Sequence, residues 1–164
     1  MNVLLLTHER EMGKKSNTGD LVLSCLSSSI GYDNNTPSSA QRILWKRTEP
    51  SAYLLDKIAQ NEVALLYPAG SGESVESVEN FETFLVLDST WQESKKIINK
   101  SPYLKTIPKV CINTGRASSF LRRKNQVPGG LCTAECVLEL LKLKGRIELA
   151  AQLEKEYEQF NTCQ

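Results

Sequence analysis

Short, largely apolar runs alternating with helix patterns constrain this chain most. Residues 2–7, 63–67 and 81–87 span at most seven positions each and show no clean alternation of apolar and polar side chains. Such runs read as strands covered on both faces rather than strands with one wet side. Residues 109–113 read as a further strand and 43–45 as a shorter one. Helix patterns lie between and after them. Thr18 can cap a helix in which Leu21, Val22, Cys25, Leu26 and Ile30 recur at helical spacing until Gly31. Ser51 starts a short helix through Ala59, and Thr90 caps another through Lys100, with Pro102 beyond it. Thr133 can cap a helix striped by Val137, Leu138, Leu140, Leu141 and Leu143, with Glu135 in the first turn where a carboxylate suits the helix dipole. After Gly145, residues 147–160 read as an exposed, charged helix. The order of strand and helix predicts an α/β domain with a mostly parallel sheet flanked by helices.

At 164 residues the chain has the size of one domain with a substantial core. The apolar share of 40% and charged share of 24% exclude a disordered or collagen-like chain. No apolar run approaches the roughly 20 residues of a bilayer span. The opening apolar stretch lacks a basic flank and a cleavage site, so it does not read as a signal peptide and a cytoplasmic location is expected. Five cysteines, at 25, 111, 132, 136 and 163, form no Cys-x-x-Cys pair. An odd, scattered set argues against a disulfide framework. Cys132 and Cys136 can share a helix face, but His8, the sole histidine, is remote in sequence. They read as small, partly buried thiols and no metal is expected.

The net charge of +1 hides a sharp division. Residues 1–90 carry 7 basic and 12 acidic side chains, a net −5. Residues 91–124 carry 9 and 1, a net +8. Residues 125–164 carry 4 and 6, a net −2. The central segment is a candidate phosphate footprint, although Lys95, Lys96 and Lys100 can equally be a solvated helix face.

Ligands in open α/β sheets bind beyond the carboxyl ends of the strands. His8, the loop after Tyr67, Asp88 and the residues after Asn113 all stand there. Asp88 closes the clearest strand, where a carboxylate can hold a proton or a ligand, or cap the next helix. Trp91 can stack on a base or anchor its helix. His8 can serve as a base or as a structural hydrogen-bonding group. The 17-residue stretch 114–130 is unusually long, and its Arg116, Arg122, Arg123 and Lys124 surround Phe120. Forked cations and an aromatic ring suit RNA, and an exposed basic loop is the plainer reading. No P-loop and no Gly-x-Ser-x-Gly elbow is present, so triphosphate hydrolysis and serine-hydrolase chemistry are unsupported.

These residues resemble the DTW-domain family. Asp88-Ser89-Thr90-Trp91 matches its signature. His8-x-x-Glu11 followed by Lys15-Ser16-Asn17-Thr18, Leu66-Tyr67-Pro68, and Arg123-Lys124 with Pro128-Gly129-Gly130-Leu131-Cys132-Thr133-Ala134-Glu135 are similar to three further family blocks, in the same order. The resemblance implies one DTW domain over residues 1–164, SPOUT-like, with a C-terminal trefoil knot. It implies transfer of the 3-amino-3-carboxypropyl group from S-adenosylmethionine to N3 of a uridine in tRNA, releasing methylthioadenosine. Asp88, Thr90 and Trp91 then form the catalytic set, with Asp88 as base or as orienting group. Tyr67, Pro68, Gly70, Gly129, Gly130, Leu131, Thr133 and Glu135 would hold the cofactor. His8, Asn17, Thr18, Arg116, Arg122, Arg123 and Lys124 would contact the RNA, Arg123 also suiting the methionine carboxylate. The chain lacks the zinc-like cysteine cluster that opens many members. Cys132 and Cys136 replace the usual Ser and Ala, and 118–120 replaces a Tyr-containing stretch. A SPOUT-type RNA methyltransferase and a non-catalytic RNA-binding module are the alternative readings.

Overall fold

Alternation within the apolar runs sends side chains to both faces of one sheet. In β1 (Asn2–Thr7), Val3 and Leu5 enter one core while Leu4 and Leu6 enter the other. In β4 (Thr83–Asp88), Phe84 and Val86 face the first core and Leu85 the second. In β3 (Val63–Leu66), Ala64 faces the first, Val63 and Leu65 the second. The computed structural model describes residues 1–27, 37–68, 74–112, 119–120 and 130–162. Within them β2 (Ser39–Leu44) and β5 (Lys109–Val110) complete a five-stranded sheet in the order β2-β1-β4-β3-β5, and every pairing is parallel.

The first face is covered by α1 (Thr18–Ser27), α4 (Thr133–Leu143) and α5 (Ile147–Thr162). The second is covered by α2 (Ala52–Ala59), α3 (Trp91–Lys100) and the 3-10 turn Pro102–Thr106. The helices that follow the neighbouring strands β1 and β4 therefore lie on opposite faces. Their divergence opens a crevice at the carboxyl ends of those strands, where such sheets bind ligands.

The parallel sheet with helices on both faces is as the sequence predicts, with several shifted details. The second strand runs from Ser39 to Leu44 rather than over 43–45, because an edge strand tolerates its polar Ser39, Gln41 and Arg42. Asn17, not Thr18, caps α1: its side-chain oxygen accepts the Gly19 N–H at 2.6 Å. Cys132, not Thr133, stands at the N-cap of α4. The last helix is not simply exposed, since Leu149, Ala150, Leu153 and Tyr157 are buried against the first core. Gly145, at φ +71°, reverses the chain between α4 and α5 in a conformation that side chains resist. A knot would be decided by the path from β5 to α4, most of which lies outside the described residues. No helix among the described residues is long and apolar enough to cross a membrane.

Phe84 is fully buried at the centre of the first core. Phe84→Ala should lower the unfolding free energy by about 3–5 kcal/mol, measured as a reduced urea midpoint at unchanged slope.

Candidate active site

Parallel registry brings the last residues of β1 and β4, Thr7 and Asp88, side by side. Asp88 is only 3% exposed, and a buried carboxylate must find donors inside the protein. Four converge on it. The Thr7 hydroxyl donates to Oδ2 at 3.0 Å, the Asn17 amide at 3.2 Å and the Arg42 guanidinium at 3.5 Å, while the Thr133 hydroxyl donates to Oδ1 at 2.9 Å. Arg42 reaches the site from edge strand β2, also donating to the Thr7 hydroxyl at 3.1 Å and pairing with Asp20 at 2.7 Å. The start of α1 passes so close that a Cβ on Gly19 would lie 2.5 Å from Asp88 Oδ2. Thr18 completes the junction: its hydroxyl accepts the Ala134 N–H at 3.3 Å, tying the start of α1 to that of α4.

A second polar group lies alongside. His8 is buried, stacks on Trp45 with ring centres 5.3 Å apart, and accepts the Arg10 N–H on Nδ1. The same nitrogen is 3.9 Å from Glu93. Glu93 closes a capping box with Thr90, accepting its N–H at 3.1 Å and its hydroxyl at 2.9 Å. Burial pushes the Glu93 carboxyl up, but the Thr90 hydrogen bonds, a side-chain hydrogen bond with Glu11 and the neighbouring His8 hold it below the usual carboxylate range. Thr90 therefore serves as the cap of α3, and His8, Asn17 and Thr18 are buried with their polar atoms turned inward rather than presented to an RNA surface.

Beside this frame an open cleft of about 660 Å³, counting its mouth, lies across the ends of β3, β4 and β5. Tyr67 and Pro68 line it after β3, Ser89, Trp91 and Ser94 after β4, Cys111 and Ile112 after β5, and Leu131, Thr133 and Cys136 at the start of α4. None of its described lining residues is charged. The Tyr67 and Trp91 rings stand 6.2 Å apart at 57°, and the Ser89 and Ser94 hydroxyls are 2.8 Å apart. Thr133 belongs to both regions, since it lines the cleft and bonds Asp88, whereas Asp88 is not among the lining residues.

The structure thus gathers Tyr67, Pro68, Trp91, Leu131 and Thr133 around one space, with buried Gly130 next in the chain to Leu131. Glu135 is engaged elsewhere: its carboxylate accepts the Cys132 N–H at 2.8 Å, the Ser119 N–H at 2.7 Å and the Ser119 hydroxyl at 3.1 Å. Phe120 is buried between Tyr157 and Phe160 rather than offered for stacking. Burial and nearby Glu135 push the Cys132 thiol up to about 11, so it packs as a neutral group. Gly70, Arg116, Arg122, Arg123, Lys124 and Gly129 lie outside the described residues. Sequence reasoning missed Arg42, Gly19, Ser89 and Ser94. Nothing in the sequence marks Ser94, whose burial on α3 only the fold reveals.

Asp88→Asn would turn an amide donor toward groups that themselves donate. It should cost about 1–3 kcal/mol or more, read by urea denaturation. Gly19→Ala should cost a similar amount, about 1–3 kcal/mol, by forcing α1 off the carboxylate.

Among solved structures, the chain is similar to a dual specific Trm10 from Thermococcus kodakaraensis, at 13% identity over 95% of this chain and 99% of that chain, with a TM-score of 0.46. The sequence profile of the DTW domain matches residues 1–164. The chain therefore belongs to the DTW-domain family, which includes tRNA-uridine aminocarboxypropyltransferases.

Proposed function

We propose that this protein is a tRNA-modifying transferase that moves the 3-amino-3-carboxypropyl group of S-adenosylmethionine to N3 of a uridine in tRNA. Family membership supports the reaction class. The observation that carries the reading to named residues is a cleft whose described lining is uncharged, beside a carboxylate-anchored helix start, with two aromatic rings on its wall. The cleft's apolar floor and hydroxyl groups suit the adenosine part of such a cofactor, and Tyr67, Pro68, Leu131 and Thr133 would hold it. When bound, S-adenosylmethionine supplies a carbon made electrophilic by its sulfonium, with methylthioadenosine as leaving group.

The chain's own residues supply position. Trp91 offers a ring face at the cleft wall on which a uridine can stack. Thr133 presents the start of α4, and its hydroxyl is oriented by Asp88. Both Asp88 oxygens accept protein hydrogen bonds, so a positioning role suits Asp88 better than proton removal. It acts by keeping Thr133 and α1 in place, and misplacing reacting groups by about an ångström can cost roughly a hundredfold in rate. This reading implies a cytoplasmic enzyme.

The test incubates the protein with unmodified tRNA and S-adenosylmethionine, digests the RNA and weighs its nucleosides. A uridine heavier by one aminocarboxypropyl group, with methylthioadenosine released, is the expected result. A methyl-sized gain would instead make the protein a methyltransferase, and an unchanged nucleoside pool would overturn the transferase reading. Asp88→Asn, assayed where it remains folded, should lower kcat by roughly a hundredfold. Trp91→Ala should raise KM for tRNA more than it lowers affinity for the cofactor.

A further inference from the structure

The two helical layers differ in charge. Residues 91–106, which form α3 and the turn after it, contain four lysines and one glutamate. That glutamate, Glu93, is folded back onto Thr90. Lys95, Lys96 and Lys100 are exposed, and no ion pair among the described residues uses them. Trp91 and Lys95 are four residues apart, as are Lys96 and Lys100, so each pair shares a strip of the helix. Like charges at that spacing work against the helix, which gives the strip a cost that folding does not require. Trp91 is part of the cleft wall, so Lys95, one turn on, stands nearest the cleft, and Lys96 and Lys100 continue the charge round the exposed face of α3. The opposite layer repels the same ligands: α5 carries four glutamates and one lysine.

We propose that Lys95, Lys96 and Lys100 form a track for the phosphate backbone of the RNA whose uridine enters the cleft beside Trp91. The RNA then approaches across α3, on the side of the sheet away from α5. A polyanion is the partner that this charge fits: compact ammonium groups in a row attract phosphates without reading sequence. The inference rests on the proposed tRNA-modifying role and adds the surface and the direction of approach.

The experiment measures binding of an unmodified tRNA transcript to the full chain by fluorescence anisotropy across a salt series, with S-adenosylmethionine affinity by calorimetry. The triple variant Lys95→Ala, Lys96→Ala, Lys100→Ala retains good helix formers and should fold. It should lose about tenfold or more in tRNA affinity, and the slope of log affinity against log salt should fall by about 2–3, near one unit for each lost phosphate contact. Cofactor affinity should stay unchanged. Lys155→Ala on α5 should change neither. Lys96→Glu alone should weaken tRNA binding in the same direction and provides a second variant should the triple one misfold. Wild-type tRNA affinity and salt slope in the variants would overturn the track alone. Equal loss from Lys155→Ala would also overturn it, because the effect would then be one of net charge. A wild-type protein that binds no tRNA would overturn the proposed function together with the track.

Discussion

The buried carboxylate of Asp88 is the constraint on which the site is built. It sits at the end of a central strand in a sheet covered on both faces, where it is 3% exposed and must draw donors from the protein. Its charge draws in Thr7 from β1, Asn17 from the turn before α1, Arg42 from β2 and Thr133 from α4. Each comes from a different part of the chain, so satisfying one carboxylate sets the relative positions of two strands and two helix starts. The approach is close enough that α1 needs glycine at position 19. The cleft inherits this order through Thr133, which touches both the carboxylate and the open space.

Polar and apolar tasks are separated as a result. Ionisable groups near the strand ends, His8, Glu11, Glu93 and Asp88, are tied into the frame on the β1 side. The described lining of the cleft across β3, β4 and β5 consists of rings, hydroxyls, thiols and aliphatic surface. An uncharged wall is the environment in which an aromatic heterocycle stacks without displacing bound charge. Net charge is moved to the outer surfaces and sorted there, basic along α3 and acidic along α5. The surface charge thus lies outside the cleft, whose described lining is neutral.

Much of the architecture is legible because it is local. Buried parallel strands are short and almost continuously apolar, and residues 2–7 and 81–87 announce themselves that way. Thr90 and Glu93, three apart before a helix pattern, form the capping box that such spacing suggests. Edge strand β2 is harder to read: with one neighbour and solvent beside it, Ser39, Gln41 and Arg42 do not look like a strand. The caps of α1 and α4 each stand one residue earlier than the pattern suggests. Asn17 and Cys132 take the caps, while the Thr18 and Thr133 hydroxyls make tertiary bonds instead. The buried side of α5 is diluted by its charged residues, and it is covered by the preceding α4 together with α1, which is distant in sequence.

The site divides along the same line. By itself the sequence determined that polar groups would follow apolar strands, that Trp91 would stand just beyond one and Tyr67 at the end of another, and that the basic charge would fall within 91–124. Those are consequences of chain order, and the family blocks carry the same order. Only the tertiary structure decided which of these groups meet. It brought Thr133 across 45 residues to Asp88 and Arg42 across 46 to the same oxygen pair, placed Tyr67 against Trp91, and turned Glu135 and Phe120 away from the cleft. The physical reason is that a buried charge and an apolar wall are satisfied by whatever the fold brings near them, and sequence spacing carries no record of those distances.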